Sequence, residues 1–224
     1  NLADLDEALK LAGEIGYPVM LKATSGGGGR GIRRCDTPEE LKSQYPRVIS
    51  EATKAFGSAD VFMEKCIVNP RHIEVQILGD SHGNVVHLFA PSPELTPEQR
   101  QYIGGLAVKA AEAVGYENAG TVEFLLTGNE VYFMEMNTRV QVEHTITEAI
   151  TGVDIVREQL RSAAGLPLSY RQEDIQYRGY ALQFRINAED PKNDFLPSFG
   201  RISHYYAPGG PGVRVDTAIY TGYE

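Results

Sequence analysis

Five polar side chains alternate with less polar ones near the middle of the chain, and this alternation constrains the fold more than any other feature. The alternating positions are Glu135, Asn137, Arg139, Gln141 and Glu143. A period of two places all five on one face of an extended segment. Carboxylates, amides and a guanidinium are ligands for metal ions and anions, whereas an ordinary solvent-facing strand carries Lys, Thr and Ser. We therefore expect a strand that carries a binding site.

Composition limits the classes of partner and compartment. Thirty acidic and 21 basic residues give the 224-residue chain a net charge of −9, which argues against a nucleic-acid surface. No apolar run approaches the roughly 20 residues of a membrane span, and the N-terminus has no signal-peptide features. We expect no membrane association and a cytoplasmic location, or the mitochondrial matrix in a eukaryote. Cys35 and Cys66 lack a CxxC spacing and are interpreted as inert core thiols.

Helical and strand-like patterns are mixed along the chain, which predicts an α+β fold with a mainly antiparallel sheet. Capping residues and helical spacing predict helices over 4–15, from 38 onward, 96–114 and 154–164. Pro46 is expected to kink or split the second helix. Strands are predicted over 18–23, 31–35, 61–66, 72–78, 85–89, 120–126 and 130–136, and the tail from residue 178 alternates as strands. Because the chain starts and stops within this pattern, we expect an excerpt of a longer protein.

A glycine loop follows the first predicted strand. Residues 26–29 are four consecutive glycines, and such a loop usually brings its backbone N–H groups close to a ligand such as phosphate. A strand rather than a helix follows the loop, so it is not a Rossmann fingerprint, and no Lys-Ser/Thr follows it as in a Walker loop. We interpret it as a lid over a nucleotide, with Lys22 supplying positive charge. A flexible linker is the alternative.

Two carboxylates are predicted to meet across a hairpin. Glu123 and Glu135 lie on neighbouring strands around a short turn, so they can approach across the ladder. Facing carboxylates repel each other, and a cation would remove that repulsion. With Asn137 they form an oxygen ligand set suited to Mg²⁺ or Mn²⁺ bound together with phosphates. By contrast, Glu64, Lys65 and His72, taken singly, are typical of solvated strand ends.

Six separated motifs together resemble biotin carboxylase, an ATP-grasp enzyme found in acetyl-CoA, propionyl-CoA and pyruvate carboxylases. They occur in the family's order and run almost from end to end of the chain, at 22–31, 63–65, 69–76, 121–124, 134–144 and 185–191. The resemblance implies an ATP-grasp fold. Residues 1–66 would form the glycine-flap lid, residues 67–177 the central subdomain with the metal and bicarbonate sites, and residues 178–224 the start of a truncated C-terminal domain.

The resemblance also implies an activity, the MgATP- and bicarbonate-dependent carboxylation of biotin through carboxyphosphate. Position within the motifs assigns ATP contacts to Lys22, Gly28, Gly29, Glu64, Lys65, Ile67, His72, Glu123 and Glu135. The metal ligands would be Glu123, Glu135 and Asn137. Bicarbonate would be held by Arg139, Gln141 and the backbone of Val142. The catalytic residues would be Arg139, the general base Glu143, and Arg185, which would stabilise the biotin enolate.

The implied partners are a biotin carboxyl carrier protein or domain, a carboxyltransferase component and a second copy of the chain in a homodimer. Two alternatives stay open: another ATP-grasp ligase such as a carbamoyl-phosphate synthetase, and a nucleotide-binding fragment without turnover. The final carboxyl acceptor is not readable from this sequence.

The chain departs from the family pattern at one place. Phe89 is followed directly by Ala90, where the family carries an inserted segment with a bicarbonate-binding lysine and further ATP contacts. Either the protein lacks this segment or the sequence omits it. Retention of Arg139, Glu143 and Arg185 favours the second possibility.

Overall fold

The computed structural model describes residues 1–25, 31–89, 92 and 95–224, which divide into two units, Asn1–Ala181 and Leu182–Glu224. Within these residues no helix combines the length and apolarity needed to cross a membrane. The glycines assigned to phosphate binding, Gly28 and Gly29, lie outside the described residues.

The first part of the larger unit is a three-stranded antiparallel sheet covered by two helices. Strands β1 (Val19–Ala23), β2 (Ile32–Cys35) and β3 (Val61–Lys65) lie in the order β2-β1-β3. Helices α1 (Leu5–Ile15) and α2 (Pro38–Phe56) pack their apolar faces onto the sheet. The predicted N-caps are confirmed, because Asp4 accepts from the Glu7 N–H and Thr37 from the Glu40 N–H.

Pro46 does not split α2, which runs unbroken from Pro38 to Phe56. Proline removes one backbone donor from the helix interior. The residues on either side, Tyr45 and Val48, are both buried against the sheet. Tertiary packing therefore holds the helix together where local propensity favoured a break.

A four-stranded antiparallel sheet forms the second part of the larger unit. Its strands are β4 (Arg71–Gly79), β5 (Val85–His87), β6 (Asn118–Thr127) and β7 (Glu130–Asn137), in the order β5-β4-β6-β7. Helix α3 (Pro97–Ala113) packs on one face, with Ile103, Ala107 and Ala111 buried against the central strands. The α3 N-terminus carries a full capping box between Thr96 and Gln99.

One face of this sheet is apolar and the other polar, because apolar and polar residues alternate along parts of β4 and β6. Ile73, Val75 and Ile77 of β4 join Val122 and Phe124 of β6 in the core under α3. The intervening residues therefore point to the opposite face. That face carries polar side chains from three adjacent strands.

The expected single polar strand from 134 to 143 is wrong in its second half. Strand β7 ends at Asn137, residues 138–143 form bends and turns, and α4 (His144–Thr151) begins directly afterwards. The beginning of β6, where those residues would have paired, is instead contacted by α5 (Ile155–Ala163), and Asn118 Nδ2 donates to Gln159 O. Only Glu135 and Asn137 of the five polar residues lie on the strand.

The smaller unit has little regular structure. It contains β8 (Glu189–Asp190) paired with β9 (Leu196–Pro197) and a short 3₁₀ turn, Pro191–Asn193. The predicted run of alternating strands from residue 178 is therefore wrong for the described chain. A strand needs a hydrogen-bonded neighbour, and the alternating apolar side chains Leu182, Phe184 and Ile186 are 75–89% exposed.

Candidate active site

The polar face of the four-stranded sheet gathers side chains from β4, β6 and β7. The backbone register pairs Glu74 with Glu123 and Gln76 with Thr121 between β4 and β6. It pairs Glu123 with Glu135 and Thr121 with Asn137 between β6 and β7. The expected approach of Glu123 and Glu135 across the hairpin is therefore confirmed.

Glu123 is the centre of this face. Its side chain is 8% exposed, and its two oxygens have different partners. His72 Nε2 lies 2.6 Å from Glu123 Oε2, and Asn137 Nδ2 donates to Glu123 Oε1. Arg139 Nη2 donates in turn to Asn137 Oδ1 at 3.3 Å. His72, Glu123, Asn137 and Arg139 thus form one connected polar chain.

Glu143 returns to the same face although it lies beyond the strand. Its carboxylate lies close enough to that of Glu74 to interact with it electrostatically. Burial raises the pKa of the Glu74 carboxyl, the nearby Glu143 and Glu123 carboxylates raise this pKa further, and His72 offsets part of the effect. Glu74 therefore holds its proton more readily than an exposed glutamate does.

Two oxygens near this face lack partners in the described part of the chain. Thr121 is 3% exposed and its buried hydroxyl makes no hydrogen bond, and the buried Gln141 Oε1 has none either. An unmade hydrogen bond at a buried polar atom costs about 1–3 kcal/mol. A ligand or ion that supplies the missing partner would remove this cost.

The lid strands hold the predicted nucleotide contacts on opposite faces. Lys22 of β1 forms an ion pair with Glu64 of β3 on one face. Lys65 is on the other, where its Nζ donates to Gly16 O at 2.7 Å and so closes the C-terminal end of α1. The Lys65 side chain is thus engaged by the backbone at the end of α1, and its ATP contact stays a prediction.

The remaining candidates lie in three separate segments of the chain. Ile67 is half-buried in the segment between β3 and β4, and Val142 is 47% exposed in the turn before α4. Arg185 is an exposed residue of the smaller unit. The roles assigned to these three residues stay predictions.

Sequence reasoning missed Glu74 and Thr121. A signal was present, because His72, Glu74 and Gln76 follow a period of two within an otherwise buried strand. Thr121 precedes Glu123 by two residues, so it also lies on the polar face. Polar residues on a strand buried on both sides indicate a site rather than solvent contact.

The residues present fit an oxygen-ligated divalent cation. Glu123, Glu135 and Asn137 supply carboxylate and amide oxygens from paired positions on one face, and the unpartnered Thr121 hydroxyl lies beside them. Mg²⁺ and Mn²⁺ take such ligands together with phosphate oxygens.

Two family models match the chain. The model for the "Carbamoyl-phosphate synthase L chain, ATP binding domain" matches residues 1–89 and 88–171, and the "Biotin carboxylase C-terminal domain" matches residues 183–224. The first match is in two pieces that meet at residues 88–89. This break coincides with the abrupt Phe89–Ala90 join.

Similar curated proteins are carboxylase components. The chain is 56% identical to the 2-oxoglutarate carboxylase small subunit of Hydrogenobacter thermophilus, which it covers over 51% of its length. It is 50% identical to biotin carboxylase 1 of Bacillus subtilis, covering 54% of that protein. In both comparisons the whole of this chain is matched, so the chain spans about half the length of these relatives.

Similar solved structures contain nucleotides, and one of them also contains bicarbonate. One is the biotin carboxylase domain dimer of the H. thermophilus 2-oxoglutarate carboxylase with MgADP, ADP and bicarbonate, with a TM-score of 0.89 and 55% identity. Another is the biotin carboxylase–β,γ-ATP complex from Campylobacter jejuni, with a TM-score of 0.90 and 45% identity. Each match covers 99% of this chain and 53% of the solved chain.

Proposed function

Because the chain belongs to the biotin carboxylase family and has its ATP-grasp fold, we propose that its protein carboxylates biotin, using ATP and bicarbonate. The biotin would be attached to a carrier protein or domain, and a carboxyltransferase component would pass the carboxyl group to its final acceptor. The proposal rests chiefly on one observation, the register that pairs Glu123 with Glu135 and brings Asn137 and His72 onto the same carboxylate.

The nucleotide would bind between the lid, residues 1–66, and the central subdomain, residues 67–177. Lys22 lies at the end of β1, two residues before a turn that leads to the glycine loop. The Lys22 ammonium forms an ion pair with Glu64, which holds its orientation in the absence of ligand. When ATP binds, the ammonium would leave Glu64 and contact a phosphate oxygen. His72 would contact the phosphates from the edge of the polar face. Closure of the lid would exclude water, which otherwise decomposes carboxyphosphate.

Glu123, Glu135 and Asn137 would hold the divalent cation that accompanies ATP. When bound, the cation neutralises phosphate charge and aligns the phosphate oxygens for in-line transfer. The protein's own contribution is the rigid pairing of two strands, which holds the two carboxylates at one height on the sheet.

Bicarbonate would bind at the turn after β7. Arg139 supplies positive charge there, and Gln141, whose buried Oε1 has no partner in the described part of the chain, would contribute its side chain to the same site. Glu143 would remove the bicarbonate proton, and the resulting oxygen would attack the γ-phosphorus of ATP. The bond to the bridging oxygen then breaks, which gives ADP and carboxyphosphate. Glu74, whose carboxyl group lies close to that of Glu143, would help to orient it.

Biotin would then take the carboxyl group on N1 as phosphate leaves. Arg185 lies in the motif that resembles the family's enolate-stabilising residue, and we assign it this role. The full protein would be a homodimer, since the similar H. thermophilus domain forms a dimer.

The deciding experiment measures bicarbonate-dependent ATP hydrolysis by the full-length protein, with and without free biotin. Stimulation by biotin is expected. ATP hydrolysis that requires bicarbonate but is not stimulated by biotin would contradict the proposal and favour another ATP-grasp ligase.

A second candidate function is nucleotide binding without turnover. The Phe89–Ala90 join favours it, because the family model breaks at the same place and the segment there carries a bicarbonate-binding lysine in the family. Saturable MgATP binding with no hydrolysis under any condition would support this candidate.

A further inference from the structure

A histidine at the start of α4 contacts the turn that follows β7. His144 is the first residue of α4. Its backbone N–H donates to Gln141 O at 3.2 Å, and its ring Nδ1 lies 2.6 Å from the same oxygen. A carbonyl oxygen only accepts hydrogen bonds, so the ring proton belongs on Nδ1, which donates to Gln141 O. The proposed function gives this histidine no role.

Strand pairing does not hold this turn in place. The ladder between β6 and β7 ends at Asn137, and residues 138–143 form bends and turns. The first turn of α4 holds them instead, because Thr145 Oγ1 donates to Val142 O at 3.4 Å and Ile146 N–H donates to Glu143 O at 3.0 Å. Of these contacts the one made by the His144 ring is the shortest.

The contact with Gln141 O also fixes the direction of a backbone donor. The peptide bond between Gln141 and Val142 is trans, so its C=O and its N–H point in opposite directions within one plane. The C=O points at His144, and the Val142 N–H of the same peptide therefore points away from it. The backbone of Val142 is the group assigned to bicarbonate in the proposed function.

The same turn is open to a small anion. Val142 is 47% exposed, and Arg139, three residues earlier, is exposed as well. A guanidinium and a backbone N–H are both donors that suit an oxyanion. A backbone donor serves an anion only where its direction is fixed before binding, since the cost of ordering it is then already met.

We propose that His144 is a positioning residue for bicarbonate, whose Nδ1–H holds the Gln141 carbonyl and so directs the Val142 N–H toward the anion. This inference rests on the proposed function. His144 acts only through the Gln141–Val142 peptide and does not touch the substrate. Loss of the ring contact leaves that peptide unfixed, so bicarbonate is bound more weakly. ATP, which is assigned to other residues, is bound as before.

Two substitutions separate the two ring nitrogens. Asparagine places an amide nitrogen near the position of Nδ1, whereas glutamine places one near the position of Nε2. In bicarbonate-dependent ATP hydrolysis by the full-length protein, His144→Gln should raise KM for bicarbonate by at least about tenfold. His144→Asn should raise it by less than about threefold, and KM for ATP should stay within about twofold in both variants.

His82 provides a matched control. Its ring Nε2 lies 3.0 Å from Gly165 O, so it is a second histidine that contacts a backbone carbonyl in the same unit. His82→Asn removes the group that makes this contact and should leave KM for bicarbonate unchanged. Melting curves of all three variants establish that a changed KM does not reflect lost folding.

Two further measurements need no turnover. Broadening of the ¹³C NMR line of labelled bicarbonate, recorded with MgADP present, reports bicarbonate affinity in each variant. ¹⁵N NMR of the histidine-labelled wild type reports which ring nitrogen of His144 carries the proton, and we expect Nδ1.

Each outcome decides the inference. Bicarbonate affinity that is equal in the wild type and His144→Gln overturns it, as does an equal loss in His144→Asn and His144→Gln, a parallel rise in KM for ATP, or a wild-type proton on Nε2. If the wild type shows no biotin-stimulated hydrolysis but binds bicarbonate more tightly than His144→Gln does, the inference stands and the proposed function fails. A wild type that does not bind bicarbonate overturns both.

Discussion

At the scale of single residues, the site depends on polar side chains held where a strand is otherwise buried. Glu123 is ionisable and only 8% exposed, a costly arrangement unless its charge is matched by partners. Its hydrogen bonds to His72 and Asn137 supply part of that compensation. Burial and the nearby Glu143 and Glu123 carboxylates raise the pKa of Glu74, so this carboxyl group holds its proton more readily than an exposed glutamate does.

Replacing Glu143, the proposed base, should slow turnover without weakening MgATP binding. Glu143→Gln keeps the size of the side chain but cannot accept the bicarbonate proton, so we expect kcat of the full-length enzyme to fall by at least about 10²-fold. MgATP affinity, measured by calorimetry, should change little. Glu112→Gln, an exposed change on α3, is the control. Turnover near that of the wild type would remove Glu143 from the base role.

Replacing the unpartnered hydroxyl of Thr121 should raise the stability of the ligand-free protein and reduce the stabilisation that MgATP provides. Thr121→Val removes a buried hydroxyl that makes no hydrogen bond, so the free energy of unfolding without ligands should rise by about 1 kcal/mol. The stabilisation gained on adding MgATP should shrink, because a bound ion or its water loses a neighbour. Thermal melts with and without MgATP measure both. A loss of stability without ligands would show that the hydroxyl has a structural partner.

At the scale of elements, the position of β5 against α3 depends on the absence of a side chain at Gly104. A Cβ at Gly104 would lie 2.5 Å from the His87 ring, whereas a Cβ at the neighbouring Gly105 meets nothing within 4 Å. Beyond the strand, the Gln172 side chain accepts from His87 N–H and donates to His87 O, so it occupies the free edge of β5. Phe89 and Tyr177 extend this contact edge to face.

The two adjacent glycines therefore make a matched pair of substitutions. Gly104→Ala should destabilise the protein by about 2 kcal/mol, because the His87 ring must move within a packed core. Gly105→Ala should instead stabilise it by up to about 1 kcal/mol, since it gains helix propensity in open space. Urea denaturation measures both. Equal effects would contradict the close packing of His87 on α3.

His87 also predicts a pH dependence of stability. Burial lowers the pKa of its imidazole below the ordinary value, and Nδ1 accepts from the Phe89 N–H, which a protonated ring cannot do. As the pH falls below about 6.5, His87 becomes protonated in the unfolded chain but stays neutral in the folded chain. The free energy of unfolding therefore decreases. Above that pH the residue contributes nothing to the slope.

The measurement is the urea midpoint between pH 5 and pH 7.5. His87→Asn should flatten the decline on the acid side, whatever its effect on stability at neutral pH. His204→Gln, which changes an exposed histidine, should leave the slope as in the wild type. An unchanged slope in His87→Asn would assign the acid effect to other groups.

At the scale of the whole molecule, the chain combines a three-stranded sheet, a four-stranded sheet and a smaller unit, with a net charge of −9. The proposed binding of ATP and bicarbonate by an acidic chain requires positive charge to be supplied locally. Lys22 at the end of β1 and Arg139 just after β7 are placed to supply it. The smaller unit exposes the apolar side chains of Phe184, Ile186 and Phe199.

The join between Phe89 and Ala90 can be checked on the protein from its native source. Peptide mapping should recover peptides with additional sequence between these residues, because Arg139, Glu143 and Arg185 would have little use in a protein without the bicarbonate-binding segment. A peptide in which Phe89 is followed directly by Ala90 would contradict this expectation and favour nucleotide binding without turnover.

The sequence by itself determined the family, four helices (α1, α2, α3 and α5), the pairing of β6 with β7, and the facing of Glu123 and Glu135. These features depend on local propensity, turn chemistry and a period of two, all of which are readable in one dimension. Only the tertiary structure decided that β7 stops at Asn137, that Pro46 leaves α2 intact and that Glu143 returns to Glu74. It also revealed Thr121 and the cluster of His72, Glu74 and Glu123. Each of these depends on which distant element, such as α5, packs against which strand, and the free energy of that packing outweighs the local preferences of the residues involved.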